Sequence, residues 1–273
     1  MWAYLVSILE RFSYSGLESY KKCPAQFKFR YIDKIRKPDE GIEAFTGKRV
    51  HEALEFLYSE VQSGRLPFID GILDHYEDIW KRKWHDRIAI AKRGERKEDY
   101  FHLGEDCIAR FYRKNQPFAE RVEGIELEMD FMLDGDESYR MKGIMDRLDH
   151  DGNGNYEIHD YKTGKRALSQ NQADKDGQLA LYQIALEQQR EDVQDVSLVW
   201  HFVRYGIVVK SKRTKEQLQQ LTGSMKKRIN EIRLHEKQGS TFPAKESILC
   251  NWCYYWEECP QKQGSNPFIP NYQ

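Results

Sequence analysis

The chain lacks most of the features that assign a protein at a glance. No run approaches the ~18 consecutive apolar residues of a membrane-spanning helix. Neither sign of charge dominates. The formal net charge is −1, so bulk charge marks no polyanionic partner, although a local basic surface would steer one equally well. There is no internal repeat and no low-complexity tract. No G-x-x-x-x-G-K-[ST] sequence occurs, so the chain carries no such nucleotide-driven motor. The opening MWAYLVSILERF has an apolar patch but neither a basic leader nor a small-residue cleavage site. It is expected to be a first helix or strand rather than a signal peptide, which points to the cytoplasm. What is present is 273 residues, 40% apolar and 32% charged. That is a globular composition, long enough for one large domain or two small ones.

Residues 141–162, MKGIMDRLDHDGNGNYEIHDYK, read as a β-hairpin around which the rest is arranged. Glycine and asparagine in the turn DGNGN, residues 151–155, can take positive φ. A turn centred on Asn153 sets position 146 opposite position 160. Directly opposed side chains on one face stand roughly 4.5–5.5 Å apart. Asp146 and Asp160 would repel there unless a divalent cation lay between them. Side chains alternate along a strand, so Lys162 shares the face of Asp160. Two carboxylates and an ammonium at one point suit hydrolysis of a phosphodiester by metal-activated water. Asp-x-Lys by itself is ordinarily a solvated sheet face. The opposed acids and the apolar Ile144, Met145, Leu148 and Ile158 set this hairpin apart.

Of five cysteines, Cys250, Cys253 and Cys259 form C-x2-C-x5-C before Pro260, and Cys23 stands before Pro24. Close spacing in a cytosolic chain favours a metal site over disulfides. Four thiolates suit structural zinc or an iron–sulfur cluster, and spacing does not choose between them. Either would staple the two ends of the chain together. Cys107, alone in a helical pattern, reads as a small buried hydrophobe.

Elsewhere, Ser13 and Ser15 offer caps to a helix with Leu17, Tyr20, Cys23 and Phe27 on one stripe. Thr46 is expected to cap a helix whose apolar face holds Val50, Leu54, Leu57 and Val61, with His51 at its edge. Two helices follow within residues 70–118. Lys81, Arg82, Lys83, Arg93, Arg96 and Lys97 interleave there with Trp80, Trp84 and Tyr100, a pattern that can track a single strand or be an ordinary amphipathic pair. GIELEMDFML alternates cleanly as a half-buried strand, with Glu126 and Glu128 on its polar face, solvated by default and neighbours of the metal site as the alternative. The stretch NQADKDGQLALYQIALEQQ reads as a helix placing Gln178 and Tyr182 one turn apart. VSLVWHFVRYGIVVK reads as strand bent near Gly206, and KEQLQQLTGSMKKRINEIRLHEKQG as a late helix.

These pieces together resemble the RecB-type branch of the PD-(D/E)XK nuclease superfamily, and within it the members with an iron–sulfur cluster. Those are the CRISPR-associated RecB-like nucleases and the nuclease domains of AddB-type repair proteins. The matching segments are SYSGLESYKKCPAQFKFRYI, GKRVHEALE, GIMDRLD, EIHDYKTGK, QLALY and CNWCYYWEECP, spanning nearly the whole chain. Met145 stands before Asp146 where the family often has proline. The resemblance implies an α/β fold with a restriction-endonuclease-like core, a mixed central sheet flanked by helices. It implies a helical region over 1–120 carrying Cys23 and His51, a nuclease core over 121–237, and a cysteine-rich segment over 238–273 completing an iron–sulfur site. His51, Asp146, Asp160 and the Tyr161 backbone carbonyl would bind Mg²⁺ or Mn²⁺. Lys162 would act on the water or the phosphate, and Gln178 and Tyr182 would shape the substrate site. Cys23, Cys250, Cys253 and Cys259 would hold a 4Fe–4S cluster, with zinc the less favoured occupant. The implied activity is a metal-dependent DNA nuclease, an exonuclease on single strands or DNA ends, in DNA processing, repair or CRISPR adaptation. Its partners would be DNA and a helicase or CRISPR integration proteins. A DNA-binding or structural subunit with a vestigial nuclease site is the reading from another class; the intact Asp146, Asp160 and Lys162 favour the enzyme.

Overall fold

Period-two alternation builds a sheet, and period-3.6 stripes cover both of its faces. The computed structural model describes residues 9–37, 40–92, 94–237 and 242–269. Most of the opening apolar stretch, residues 1–8, lies outside the described residues, as does Arg93. The strands are β1 (Phe12–Ser13), β2 (Glu40–Gly41), β3 (Ile88–Ala89), β4 (Val122–Met132), β5 (Arg140–His150), β6 (Asn155–Lys162), β7 (Asp195–Phe202) and β8 (Ile207–Ser211). The helices are α1 (Tyr14–Lys22), α2 (Pro24–Phe27), α3 (Ile42–Gln62), α4 (Ile69–Lys83), α5 (Lys97–Asn115), α6 (Gln170–Ala173), α7 (Gln178–Gln189) and α8 (Lys215–Lys237). Six of the strands form one mixed sheet, and β2 and β3 pair apart from it. One buried cluster joins the sheet to α1, α7 and α8. A second joins α3, α4 and α5 to the opposite face through Tyr161 and Val203. The expected mixed sheet flanked by helices is therefore present.

The hairpin forms as its turn residues require. Gly152 and Gly154 take φ of 88° and 82°, and the Asp151 carboxylate accepts from the Asn153 and Asn155 amides. The register pairs Arg147 with His159 and His150 with Tyr156. The ladder stops there, one step short of Asp146 and Asp160. One edge of β5 is lined throughout by β4. Its other edge is shared, with β1 paired only at Met141 and Lys142 and β6 only from Arg147 onward. A gap from Gly143 to Asp146 opens between them.

Two strands slip where they face each other at this gap. Leu127, Met129 and Phe131 pack into the first cluster, but Ile125 packs into the second. Between them Glu126 takes φ of 47°. On β5, Met145 and Leu148 both face the first cluster, while Arg147 lies over the Tyr58 ring on the other side. The clean alternation expected for β4 therefore breaks at Glu126. Other expectations shift in detail. Thr46 lies inside α3 and returns its hydroxyl to the Ile42 carbonyl at 2.8 Å, so the helix starts one turn earlier. The stretch around Gly206 is a tight turn between antiparallel strands, with Gly206 at φ of 63°. The helix expected from residue 170 breaks before α7, where the Asp176 carboxylate caps the Gln178 amide at 2.9 Å. That break puts Gln178 in the first turn of α7.

Candidate active site

The gap in β5 collects the polar residues of the hairpin. Asp146 Oδ2 accepts the Tyr161 amide at 2.8 Å, standing in for the missing ladder bond. His51 reaches across from α3. Its Nε2 lies 2.7 Å from the Tyr161 carbonyl oxygen and its Nδ1 3.5 Å from Asp146 Oδ2. Glu126 completes the group: donor atoms of His51, Glu126 and Asp146 lie within 4.8 Å of one another. The β4–β5 register, with Ile125 on Arg147 and Leu127 on Met145, sets Glu126 opposite Asp146.

Asp160 and Lys162 sit beside this group. Lys162 Nζ lies 2.9 and 2.8 Å from the two Asp160 oxygens. Gln178 joins them, accepting from Lys162 Nζ at 3.2 Å and donating to Asp160 Oδ1 at 3.3 Å. Tyr182, one turn along α7, covers Gly143; a Cβ there would stand 2.3 Å from its ring. Its hydroxyl lies near the Ile144 backbone on the edge of β5 that β1 and β6 leave open. His51, Glu126 and Asp146 are thus gathered at one point, with Asp160, Lys162, Gln178 and Tyr182 beside it rather than within the donor group.

The electrostatics show why the corner calls for a cation. Burial and the Asp146 charge push the Glu126 carboxyl up to about 7. Asp160 is nearly inaccessible at 3% exposure. Its burial outweighs the Lys162 ammonium, and with Asp146 alongside its carboxyl rises to about 6. Burial works against the Lys162 ammonium, but Asp160 outweighs it and holds that group above its ordinary value. Glu126 and Asp146 meet beside His51, and two carboxylates so placed repel until a divalent ion joins them, while Asp160 lies next to that group on the Lys162 ammonium. The donor set, imidazole plus carboxylate oxygens with a backbone carbonyl adjacent, fits Mg²⁺ or Mn²⁺.

Residues 11–260 match the sequence profile of the PD-(D/E)XK nuclease superfamily. The chain belongs to that superfamily. Membership accounts for the mixed sheet, identifies the fold as restriction-endonuclease-like, and makes the protein a nuclease of a class that uses divalent metals. No curated protein sequence matches the chain. Among solved structures, a candidate exonuclease from Eubacterium rectale is similar, at a TM-score of 0.54 and 15% identity, covering 88% of this chain and 85% of that one. At that identity the likeness speaks for the fold alone. SSO0001 aligns over 92% of this chain and 96% of its own, at a TM-score of 0.34 and 13% identity.

In this PD-(D/E)XK nuclease the four cysteines also meet. Cys23, Cys250, Cys253 and Cys259 line one small pocket with Gln26 and Lys245. The Lys245 amide donates to Cys23 Sγ at 3.4 Å, and Gln26 Nε2 stands 3.7 Å from Cys253 Sγ. Burial raises the Cys253 thiol, and the other three cysteines add to the rise. The thiols are not among the groups of donor atoms gathered within 4.8 Å. Cys107 is buried at 1% exposure, as its helical pattern indicated.

Two features of the nuclease run against the sequence reading. Glu126 stands in the candidate metal-binding corner, the alternative to the solvated default that strand alternation gave it with Glu128. Its signal was the register: position 126 lies twenty residues before Asp146 on the strand that pairs with it. The basic and aromatic stretch of α4 and α5, conversely, is not a free cationic track. Lys81, Arg82 and Lys83 of α4 each meet a carboxylate within 2.8 Å, whereas Arg96 and Lys97 reach theirs only at 3.8 and 3.9 Å. Trp80 and Tyr100 are buried.

Proposed function

We propose that the chain is a Mg²⁺- or Mn²⁺-dependent deoxyribonuclease, an exonuclease working on single strands or DNA ends. The observation that supports this best is the convergence of His51, Glu126, Asp146, Asp160 and Lys162 at the gap in β5. In this reading His51, Asp146, Asp160, the Tyr161 carbonyl and Glu126 hold the metal. A bound divalent ion lowers the pKa of its water and neutralises phosphate charge. Lys162, kept cationic by Asp160, steadies the charge that develops on the phosphate rather than acting as a base. Gln178 orients Lys162 and Asp160 through its two bonds. Tyr182 holds the β5 edge open and walls the substrate groove, a cleft of ≈ 550 Å³ that also takes in Gln178 and Ile144.

We assign the cysteine pocket to a structural 4Fe–4S cluster. A single tetrahedral zinc at ~2.3 Å from each sulfur would draw the thiols to about 3.8 Å apart. No three of the thiols lie mutually within 4.8 Å, which leaves room for the larger cluster. The role follows DNA processing, repair or CRISPR adaptation, with unwinding supplied by a partner. The test is digestion of 5′- and 3′-labelled single strands in Mg²⁺ or Mn²⁺. Metal-dependent shortening from an end is expected. Intact strands in every metal would remove the enzymatic reading.

A further inference from the structure

Resting on the nuclease reading, the charges around the catalytic corner sort into paired and unpaired ones, and the unpaired arginines mark one side. β6 runs out at Lys162 into the turn at residues 163–166. That turn, α3 and the turn after β7 enclose a groove of ≈ 610 Å³ lined by Thr163, Lys165, Arg166, Arg204, Glu43 and Tyr100. The side chains of Arg166 and Arg204 make no ion pair or hydrogen bond among the described residues, unlike the paired cations of α4. Lys165 meets Glu43 only at 3.9 Å, both half exposed, a contact of little worth in water. The groove thus carries three cations against one carboxylate. The cleft on the other side of the corner balances Arg11 and Lys142 against Glu128 and Asp130.

The cationic groove is also held in shape. Tyr205 Oη donates to the Lys165 carbonyl at 2.8 Å, tying one turn to the other. Arg110 of α5 donates to the Arg204 carbonyl. The bonds go to the backbone and leave the guanidinium groups free. Four residues separate Lys162 from Arg166, a reach of at most about 14 Å. That covers a few nucleotides next to the reacting bond.

We propose that Lys165, Arg166 and Arg204 bind the backbone phosphates of the substrate strand on one side of the scissile bond. The neutral cleft walled by Tyr182 and Ile144 receives the nucleotide on the other side.

The test is binding of a 20-nucleotide oligothymidylate in chelator, which silences cleavage, across a range of salt. Each phosphate contact to a single strand contributes about −0.7 to the slope of log K against log salt. Arg166→Gln with Arg204→Gln is expected to reduce that slope by about 1.4 and affinity at low salt by tenfold or more. Each single variant should show about half the slope change. Arg82→Gln, on α4, should match wild type. A wild-type slope in the double variant, with wild-type protein still cutting DNA in Mn²⁺, overturns this subsite alone. Wild-type protein that neither binds the oligonucleotide nor cuts it overturns the nuclease reading and this inference with it.

Discussion

Replacing Glu126 by glutamine keeps the shape of the corner and removes one of its opposed charges. The carboxyl is pushed from an ordinary 4.5 to about 7, first by burial and then by Asp146. At about 1.4 kcal/mol per pKa unit, the charged form costs the fold at most about 3 kcal/mol. The side chain is partly open to water, so screening leaves about 1 kcal/mol. The folded carboxyl holds its proton more tightly than the unfolded one. The cost is therefore absent below pH 4.5, grows as pH rises, and is complete above pH 7. In chelator at pH 8, Glu126→Gln should melt about 2 °C above wild type, and at pH 4.5 the two should coincide. Divalent metal reverses the order. Wild type at a hundredfold excess over Kd gains about 2.7 kcal/mol, and the variant, short of a ligand, gains less. Thermal melting followed by circular dichroism, at pH 4.5 and 8 with chelator or Mn²⁺, reads both effects. Equal melting at pH 8 in chelator, together with an equal gain from Mn²⁺, would refute the placement of Glu126 in the corner.

Other outcomes follow from single contacts. Asp160→Ala and Lys162→Ala should each lose cleavage of a labelled single strand while retaining its binding in a gel-shift assay. Gly143→Ala forces Tyr182 off the edge of β5, and should cost about 1–3 kcal/mol in urea denaturation and slow cleavage. Arg147→Met removes the guanidinium that donates to the buried Asp149 carboxylate at 2.9 Å, leaving it only the neighbouring His159 ring at 3.0 Å. A loss of about 3–5 kcal/mol is expected by the same denaturation measurement. Cys253→Ser, purified without oxygen, should lack the visible absorption of the wild-type protein and melt at a lower temperature.

The hairpin and its acids were legible because they are local. Gly152 and Gly154 fix the turn, the turn fixes the register, and the register carries the ladder to Arg147 and His159, one step short of Asp146 and Asp160. The helices were legible from their stripes, although Thr46 resembled a cap while serving as a mid-helix hydroxyl. Glu126 was not legible, because its place depends on a positive φ that breaks the strand's own alternation. The gap in β5 depends on how little of that strand β1 and β6 each cover, which no single segment encodes. The basic face of α4 misled for a related reason: Lys83 is neutralised by Glu52 of α3, thirty-one residues away. Free cations are a property of the assembled surface, and Arg166 and Arg204 are two of them.

The most direct measurement is anomalous diffraction at the manganese edge from crystals soaked in Mn²⁺. The expected result is a peak in the gap of β5, at coordination distances of about 2.1 Å from His51, Asp146 and Asp160, that disappears in Asp146→Asn. A corner without a peak, or manganese bound instead at the buried Asp149, Glu157 and His159 group, would contradict the assignment of the catalytic centre.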